Sequence, residues 1–451
     1  MIKVVNKSLL AIAVSSILAS PAVNATNGYF GHGYSTKEKG LAGAGTAFSQ
    51  DAMAAATNPA GMAFIGSRMD IGAALFSPSR SYTVTGTITP PDPSTGSFGS
   101  AINAADGQTV ESDSNLFLIP HFGYNRQLSN DSTVGLSVYG NGGMNTNYPS
   151  SSTPDIFGSG SGNGTFYSGD TGINLEQLFV NLTYAKKLNA KHALGGSLIL
   201  VGQRFAAKGI DLFGGASSSP QNLSSNKHSY SYGAGIKLGY QGEVTKGIRV
   251  GVSYQSKMSM GEFDEYKGLF AEGGGFDIPE SYNIGVSFDV GSSGVIVADV
   301  QQINYSDIAS IANPVSNLLT PGSCFTPAPT GTGCLGGANG AGFGWEDMTV
   351  YKIGYQFDLD DKNTLRFGYS FTDQPIPESE TMFNVLAPAV IEQHFTAGWT
   401  MKMGANQELN LAGMYAPSNS VKGPNPMDGG NSNIEIEMSQ WELQAGWAWK
   451  Y

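Results

Sequence analysis

The stretch "NTLRFGYSFT", residues 363–372, alternates without a break. In an extended chain Leu365, Phe367, Tyr369 and Phe371 fall on one face, with Arg366, Gly368, Ser370 and Thr372 on the other. That period of two is the mark of a strand with one apolar face. Working outward, the pattern recurs in "YSYGAGIKLGYQ" (230–241), "SYNIGVSFDV" (281–290), "TVYKIGYQFDL" (349–359) and "EQHFTAGWTMKM" (392–403). It runs from about Arg68 to Tyr451, so the chain is all-β over most of its 451 residues.

The connections decide what kind of β protein this is. Short turns fall at 128–133, 188–192, 244–247, 290–294, 359–363 and 404–407. Between them lie long polar, Gly/Ser/Pro-rich stretches near 86–113, 146–172, 209–227, 263–279, 310–345, 374–389 and 418–433. Six short and seven long connections join fourteen strands. Alternation of short and long connections predicts a 14-stranded antiparallel transmembrane β-barrel of an outer membrane, with short turns periplasmic and long loops extracellular. A soluble β-sandwich would not sort its loops by length in this way. In "WELQAGWAWKY" (441–451) Trp441, Trp447, Trp449 and Tyr451 share one face, as an aromatic interfacial girdle would, and the stretch also resembles a C-terminal signal for barrel insertion.

Composition agrees. Charged residues are 13% and glycine numbers 61, against roughly 25% charge in ordinary soluble domains. The net charge of −12, with no basic cluster, argues against a nucleic-acid partner. Residues 1–25 read as a signal peptide: Lys3 and Lys7, the apolar run "SLLAIAVSSILA", then "VNA" as a cleavage site. No other stretch is long and apolar enough for a transmembrane helix. Cys324 and Cys334, with nine residues between them in "CFTPAPTGTGC", predict a loop disulfide, since a metal site would need further ligands and no histidine lies nearby.

A barrel of fourteen strands has a lumen too wide for side chains to fill, so it holds water or a plug. Residues 26–67 precede the first strand and are rich in Ala, Gly and Met. They read as a small N-terminal helical hatch, with a periplasmic extension as the alternative. Ser49 is placed to cap a helix through Asp51 to Ala56, and Asn58 to cap a second that starts at Pro59 and Ala60. The third strand, "STVGLSVYGNGGMNTNY" (132–148), loses its alternation at Gly140, Asn141, Gly142 and Gly143. Glycine inside a strand marks a bulge or bend; a glycine-rich approach to the next loop is the alternative. Asn58 is the natural hatch residue to meet backbone groups released there.

The hatch block "LAGAGTAFSQDAMAAATNPAGMA" (41–63), its Asn58-Pro59-Ala60 triplet and the fourteen-strand layout resemble the FadL-type long-chain fatty acid transporters. The resemblance implies a hatch inside the barrel, a kink in strand 3 that opens the wall sideways, an outer groove between extracellular loops and a lumen site at the mature N-terminus, here Asn27, Gly28, Tyr29 and Phe30. It implies passive transport of hydrophobic compounds, fatty acids by default, with aromatic or other hydrocarbons as alternative cargo. The outer groove would draw on the apolar pairs Leu212-Phe213 and Leu269-Phe270 of two otherwise polar loops; these pairs could equally pack on each other as a loop core. Alternation offers Arg204, Lys237, Arg249, Lys352, Arg366 and Lys402 as lumen cations for a carboxylate, or as ion-pair partners of lumen acids such as Asp358. The partners expected are hydrophobic small molecules and outer-membrane lipids, and the protein is expected to be a monomer without cofactor or metal. The five histidines (32, 121, 192, 228 and 394) have no metal-ligand spacing, and no phosphate-binding "GxxxxGK[ST]" loop occurs, which speaks against an enzyme or an ATP-driven pump. A general porin for polar solutes, or an adhesin working through its loops, are the rival readings.

Overall fold

The computed structural model describes residues 27–92, 94–95, 97–155, 162–320, 324 and 331–451. The signal-peptide reading of residues 1–25 lies outside them. Fourteen strands form the wall: β1 (Arg68–Gly86), β2 (Phe117–Gln127), β3 (Ser132–Asn145), β4 (Gly172–Lys187), β5 (His192–Lys208), β6 (Ser229–Thr245) and β7 (Ile248–Gln255) come first. β8 (Ser281–Val290), β9 (Gly294–Ile303), β10 (Met348–Asp358), β11 (Asn363–Phe371), β12 (Gln393–Lys402), β13 (Gln407–Pro424) and β14 (Ser432–Lys450) complete it. Each pairs antiparallel with its sequence neighbours, and β14 closes on β1 from Arg68↔Lys450 to Gly86↔Ser432. Closure leaves no sheet edge, which is what lets a β-sheet cross lipid. No described helix is long and apolar enough to cross a membrane.

The alternation sorts as its chemistry requires. Ile284, Leu238, Ile353, Phe367, Phe395 and Leu443 point outward and are exposed, where lipid would cover them. The opposite face meets the hatch, whose residues 27–47 are buried almost throughout. Two short strands, Gln108–Glu111 against β1 and Ser259–Met260 against β6, extend the sheet beyond the wall.

One expected loop is mostly strand. The stretch 418–433 was expected as a long connection, yet β13 continues to Pro424 and β14 begins at Ser432, with a register shift between Ala416 and Asn419. β1 and β14 are 19 residues each, about twice the 9–11 that span a bilayer. Where the hairpin stands clear of lipid it needs no apolar outer face. Its polar composition therefore reads as loop while its backbone stays paired.

Candidate functional site

The hatch is a set of short pieces held from outside. Helix α1 (Thr36–Lys39) is capped by Ser35, whose hydroxyl accepts from the Glu38 amide at 3.0 Å. Helix α2 spans Ala54–Thr57 and a 3-10 turn follows over Pro59–Phe64. Elements of four to six residues are unstable alone, so the wall must supply their stability. Asp299 on β9 accepts from the Gly45 and Thr46 amides and the Thr46 hydroxyl at 2.8, 2.9 and 2.8 Å. Buried ion pairs join Lys37 to Glu408 at 2.7 Å and Lys39 to Glu442 at 2.6 Å.

Asn58 caps the 3-10 turn by accepting from the Ala60 amide at 3.1 Å, with Pro59 in first position. Ser49 does not cap α2. Its hydroxyl donates to Gln241 Oε1 at 2.8 Å on β6, while Asp51 accepts from the Met53 amide and the helix begins only at Ala54. A wall acceptor in reach took the hydroxyl that sequence had assigned to the helix.

Strand β3 breaks where its glycines fall. Pairing with β2 ends at His121↔Tyr139, and the register to β4 shifts between Gly140 and Gly142. Beyond that point β3 has no strand on its β2 side among the described residues. The chain entering the hatch takes the vacant place: the Gly31 amide donates to the Asn141 carbonyl at 2.9 Å, and the Gly143 amide donates to the Tyr29 carbonyl at 3.1 Å. Phe30 bridges Gly142. A Cβ on Gly142 would collide with the Tyr29 carbonyl, so this close approach requires glycine. The Tyr34 hydroxyl adds a bond to Asn141 Oδ1 at 2.9 Å.

Asn58 is absent from this contact, contrary to the sequence expectation. Its amide nitrogen donates to the carbonyls of Thr46 at 2.7 Å and Tyr240 at 2.9 Å, the latter on β6. There the hatch presses on Gly239, whose place a Cβ could not share with Asn58 Oδ1. The residues that complete the kink are 29 to 31 instead.

Above the hatch the loops surround a small apolar pocket with about 40 Å³ of free space. Phe213, Leu269 and Phe270 line it with Phe205, Phe343 and Phe383, and Ser310 is the one hydroxyl among its described lining. Leu212 packs at the margin of the same cluster without lining the cavity. The two apolar pairs thus both pack together and leave a space. Cys324 and Cys334 are joined, with Cα atoms 5.0 Å apart, and Leu335 beside them borders the cavity. From its floor an aromatic column descends: Phe270 to Phe276 at 4.8 Å between ring centroids, Phe276 to Tyr29 at 6.1 Å, and Tyr29 to Phe30 at 5.2 Å. Tyr305 and Trp345 flank Tyr29, and the Tyr305 hydroxyl donates to the Asn27 carbonyl at 2.6 Å. Residues 27–30 therefore lie between the outer cavity and the break in β3.

The six cations offered by alternation are otherwise engaged. Lys237 donates to the Ala56 carbonyl and Lys352 to that of His32. Arg366 donates to Thr400 and Gln50, and Arg249 pairs with Asp289 at 2.5 Å. Arg204 does not face the lumen: it lies out of phase with buried Gln203 and Phe205 and pairs with Glu176 at 2.7 Å. Lys402 is exposed at the short-turn rim, and Asp358, also exposed, accepts from Thr364 rather than from a lumen cation. His32 and His394, far apart in sequence, stack at 5.7 Å, yet no group of metal ligands forms among the described residues. Sequence reading missed Arg80. It stands on the inward face of β1 in line with Phe76 and Tyr82, and is buried beside the upper end of β3. An arginine in phase with apolar residues was the available signal.

Residues 17–431 match the family model described as outer membrane protein transport protein (OMPP1/FadL/TodX). The fold resembles the Pseudomonas putida toluene transporter TodX (TM-score 0.64, 17% identity, 94% of this chain and 100% of that one). It also resembles a Pseudomonas aeruginosa FadL homologue (TM-score 0.62, 14% identity, 96% and 99%) and the Ralstonia pickettii toluene transporter TbuX (0.60, 16%, 93% and 99%). A search of the curated proteins finds no match to the chain.

Proposed function

The chain belongs to the outer membrane protein transport family of FadL and TodX, and on that premise we propose that it carries hydrophobic compounds, long-chain fatty acids foremost, passively across the outer membrane. Cargo is captured in the loop cavity at Phe213, Leu269 and Phe270, with Leu212 at its margin. It passes down the aromatic column to a lumen site at Asn27, Gly28, Tyr29 and Phe30. It leaves sideways between β2 and β3, where Gly140, Asn141, Gly142 and Gly143 release the wall.

The observation that carries this reading is the substitution of the hatch backbone for a strand at the β3 break. Two hydrogen bonds to residues 29–31, not a strand ladder, hold that part of the wall shut. Withdrawing them opens a lateral gap without unpairing any strand. An apolar molecule leaving along the axis would return its burial to water at roughly 25 cal/mol per Å². Leaving through the wall, it stays in an apolar phase, so a concentration gradient suffices. Aromatic hydrocarbons, the cargo named for two of the structural relatives, are the alternative class, favoured by the apolar lining of the outer cavity.

Uptake of labelled palmitate and of toluene by cells that express or lack the protein tests this. Faster entry of either in the expressing cells supports the reading and identifies the class. Equal entry with and without the protein removes it. A general porin would instead show large, steady ion conductance in planar bilayers.

A further inference from the structure

The lipid-facing wall is not smooth beside the break in β3. Across β14, β1 and β2 it is indented by a groove with about 440 Å³ of open space, far more than the pocket among the loops holds. Ala445, Ala73 and Pro120 form its floor, opposite one another in the register Ala445↔Ala73↔Pro120. Trp447, Ile71 and Phe122, the next outward row toward the short turns, form one bank. On the other side the next outward row, Leu443, Leu75 and Leu118, stands exposed. His121 also borders the groove, but it lies on the inward face of β2, where its Nδ1 meets Gln444 at 3.2 Å. No acidic, lysine or arginine side chain is among the described lining.

The floor leads to the gap. One step beyond the His121↔Tyr139 pair, the β3 position that faces Pro120 is Gly140, where pairing with β2 has ended. Gly140 has no side chain, so the low row runs out into the opening with no ridge across it. Proline has no amide hydrogen to give a neighbouring strand, and so suits a position whose partner has withdrawn. Ala73 is five residues in from Arg68 at the short-turn end, about half of the 9–11 that cross a bilayer. The groove therefore lies near the middle of the membrane, where lipid presents only hydrocarbon. Elsewhere on the wall an emerging molecule must part hydrocarbon packed against bulky side chains; here the wall itself supplies space.

Resting on the transport reading above, we propose that this groove is a landing site for cargo on the outside of the barrel. The alkyl chain of a long-chain fatty acid leaving the β2–β3 gap lies along Pro120, Ala73 and Ala445 before it joins the surrounding lipid. Continuity of floor and gap selects exiting cargo as the occupant over a resident lipid chain, which would lie across the opening and obstruct it. The last step of passage then has a protein surface of its own, separate from the lumen and the loops.

Palmitate carrying a diazirine on its terminal carbon, irradiated while cells expressing the full-length protein take it up, reads the occupant directly. Adducts should concentrate at residues 71–75 and 443–447. Ala73→Leu with Ala445→Leu fills the floor with side chains that lipid tolerates, and should reduce both these adducts and palmitate uptake about fivefold or more. Val252→Leu, on the lipid face of β7 away from the groove, should keep uptake within about twofold of wild type. Uptake by the leucine pair within about twofold of wild type overturns the landing site and leaves transport standing. Labelling of the groove by a phosphatidylethanolamine with the same diazirine, and not by palmitate, identifies a resident lipid and overturns it too. So does a crosslink from these residues to a second copy of the chain in place of palmitate. Uptake no faster with the wild-type protein than without it overturns the transport reading and the landing site together. If the leucine pair does not insert, judged by heat-modifiable migration, wild-type labelling and Ala445→Leu alone decide: no palmitate adduct in the groove overturns the proposal.

Discussion

Replacing Asn58 by alanine should release the hatch while leaving the barrel intact. The side chain is fully buried and makes three hydrogen bonds: to the Thr46 carbonyl at 2.7 Å, the Tyr240 carbonyl at 2.9 Å and from the Ala60 amide at 3.1 Å. Each such bond contributes about 1 kcal/mol net, so the variant loses about 3 kcal/mol at one point. With 1.4 kcal/mol to a factor of ten, the population with this segment detached rises about 100-fold. The barrel ladder contains none of these bonds and should keep its folded migration on gels. Hydrogen exchange of the peptide covering 54–64 reads the release directly, and conductance in planar bilayers reads any leak that follows. Asn58→Asp keeps the acceptor for Ala60 but turns two donors into acceptors facing carbonyl oxygens, so it should open the hatch at least as far. Exchange in Asn58→Ala within about threefold of wild type would show that water replaces the amide at no cost, and the latch assignment would fail.

Other expectations follow the same geometry. Gly142→Val sets a Cβ against the Tyr29 carbonyl and breaks the bonds at 2.9 and 3.1 Å that join strap to β3, so the lateral gap should stand open; cargo uptake should rise about tenfold with the protein still inserted and folded, and wild-type uptake would refute a role for the strap. Phe270→Ala removes a ring packed 4.6 Å from Phe205 and 4.8 Å from Phe276; half-saturation for uptake should rise about tenfold with maximal rate little changed, measured over a cargo concentration series. Asp299→Ala strips three donors of the hatch of their acceptor; exchange at 43–48 should rise about 100-fold, and protection there equal to wild type would deny the anchor.

The wall was legible because lipid and lumen impose opposite chemistry on alternate residues, and that leaves a mark at every second position. The hatch was legible as composition and as the Asn58-Pro59 start signal. Its partners were not, because a cap uses only one end of an asparagine side chain. Oδ1 went to Ala60, as local rules require, and Nδ2 went to Tyr240, which only the closed barrel brings near. Ser49 shows the same competition between a local cap and a wall acceptor. The loop at 418–433 was misjudged because a paired strand outside the membrane no longer needs an apolar face. Arg80 was not legible as a lumen cation because it sits among the apolar inward residues of β1.

The glycine at 239, pressed against the Asn58 side chain, is one of several on the wall that meet the hatch directly; Gly195 meets its backbone at Pro59 and Ala60, and Gly251 at Thr46. The interior is thus a mould, cast in negative relief around the segment it holds. A mould constrains inheritance. A bulkier residue at any of these wall positions displaces the hatch, and a reshaped hatch leaves the glycine facing nothing. Across descendants of this chain, positions 58 and 239, 59 and 195, and 46 and 251 should change together or not at all. A hatch transplanted from a distant relative should fit only if those wall positions travel with it.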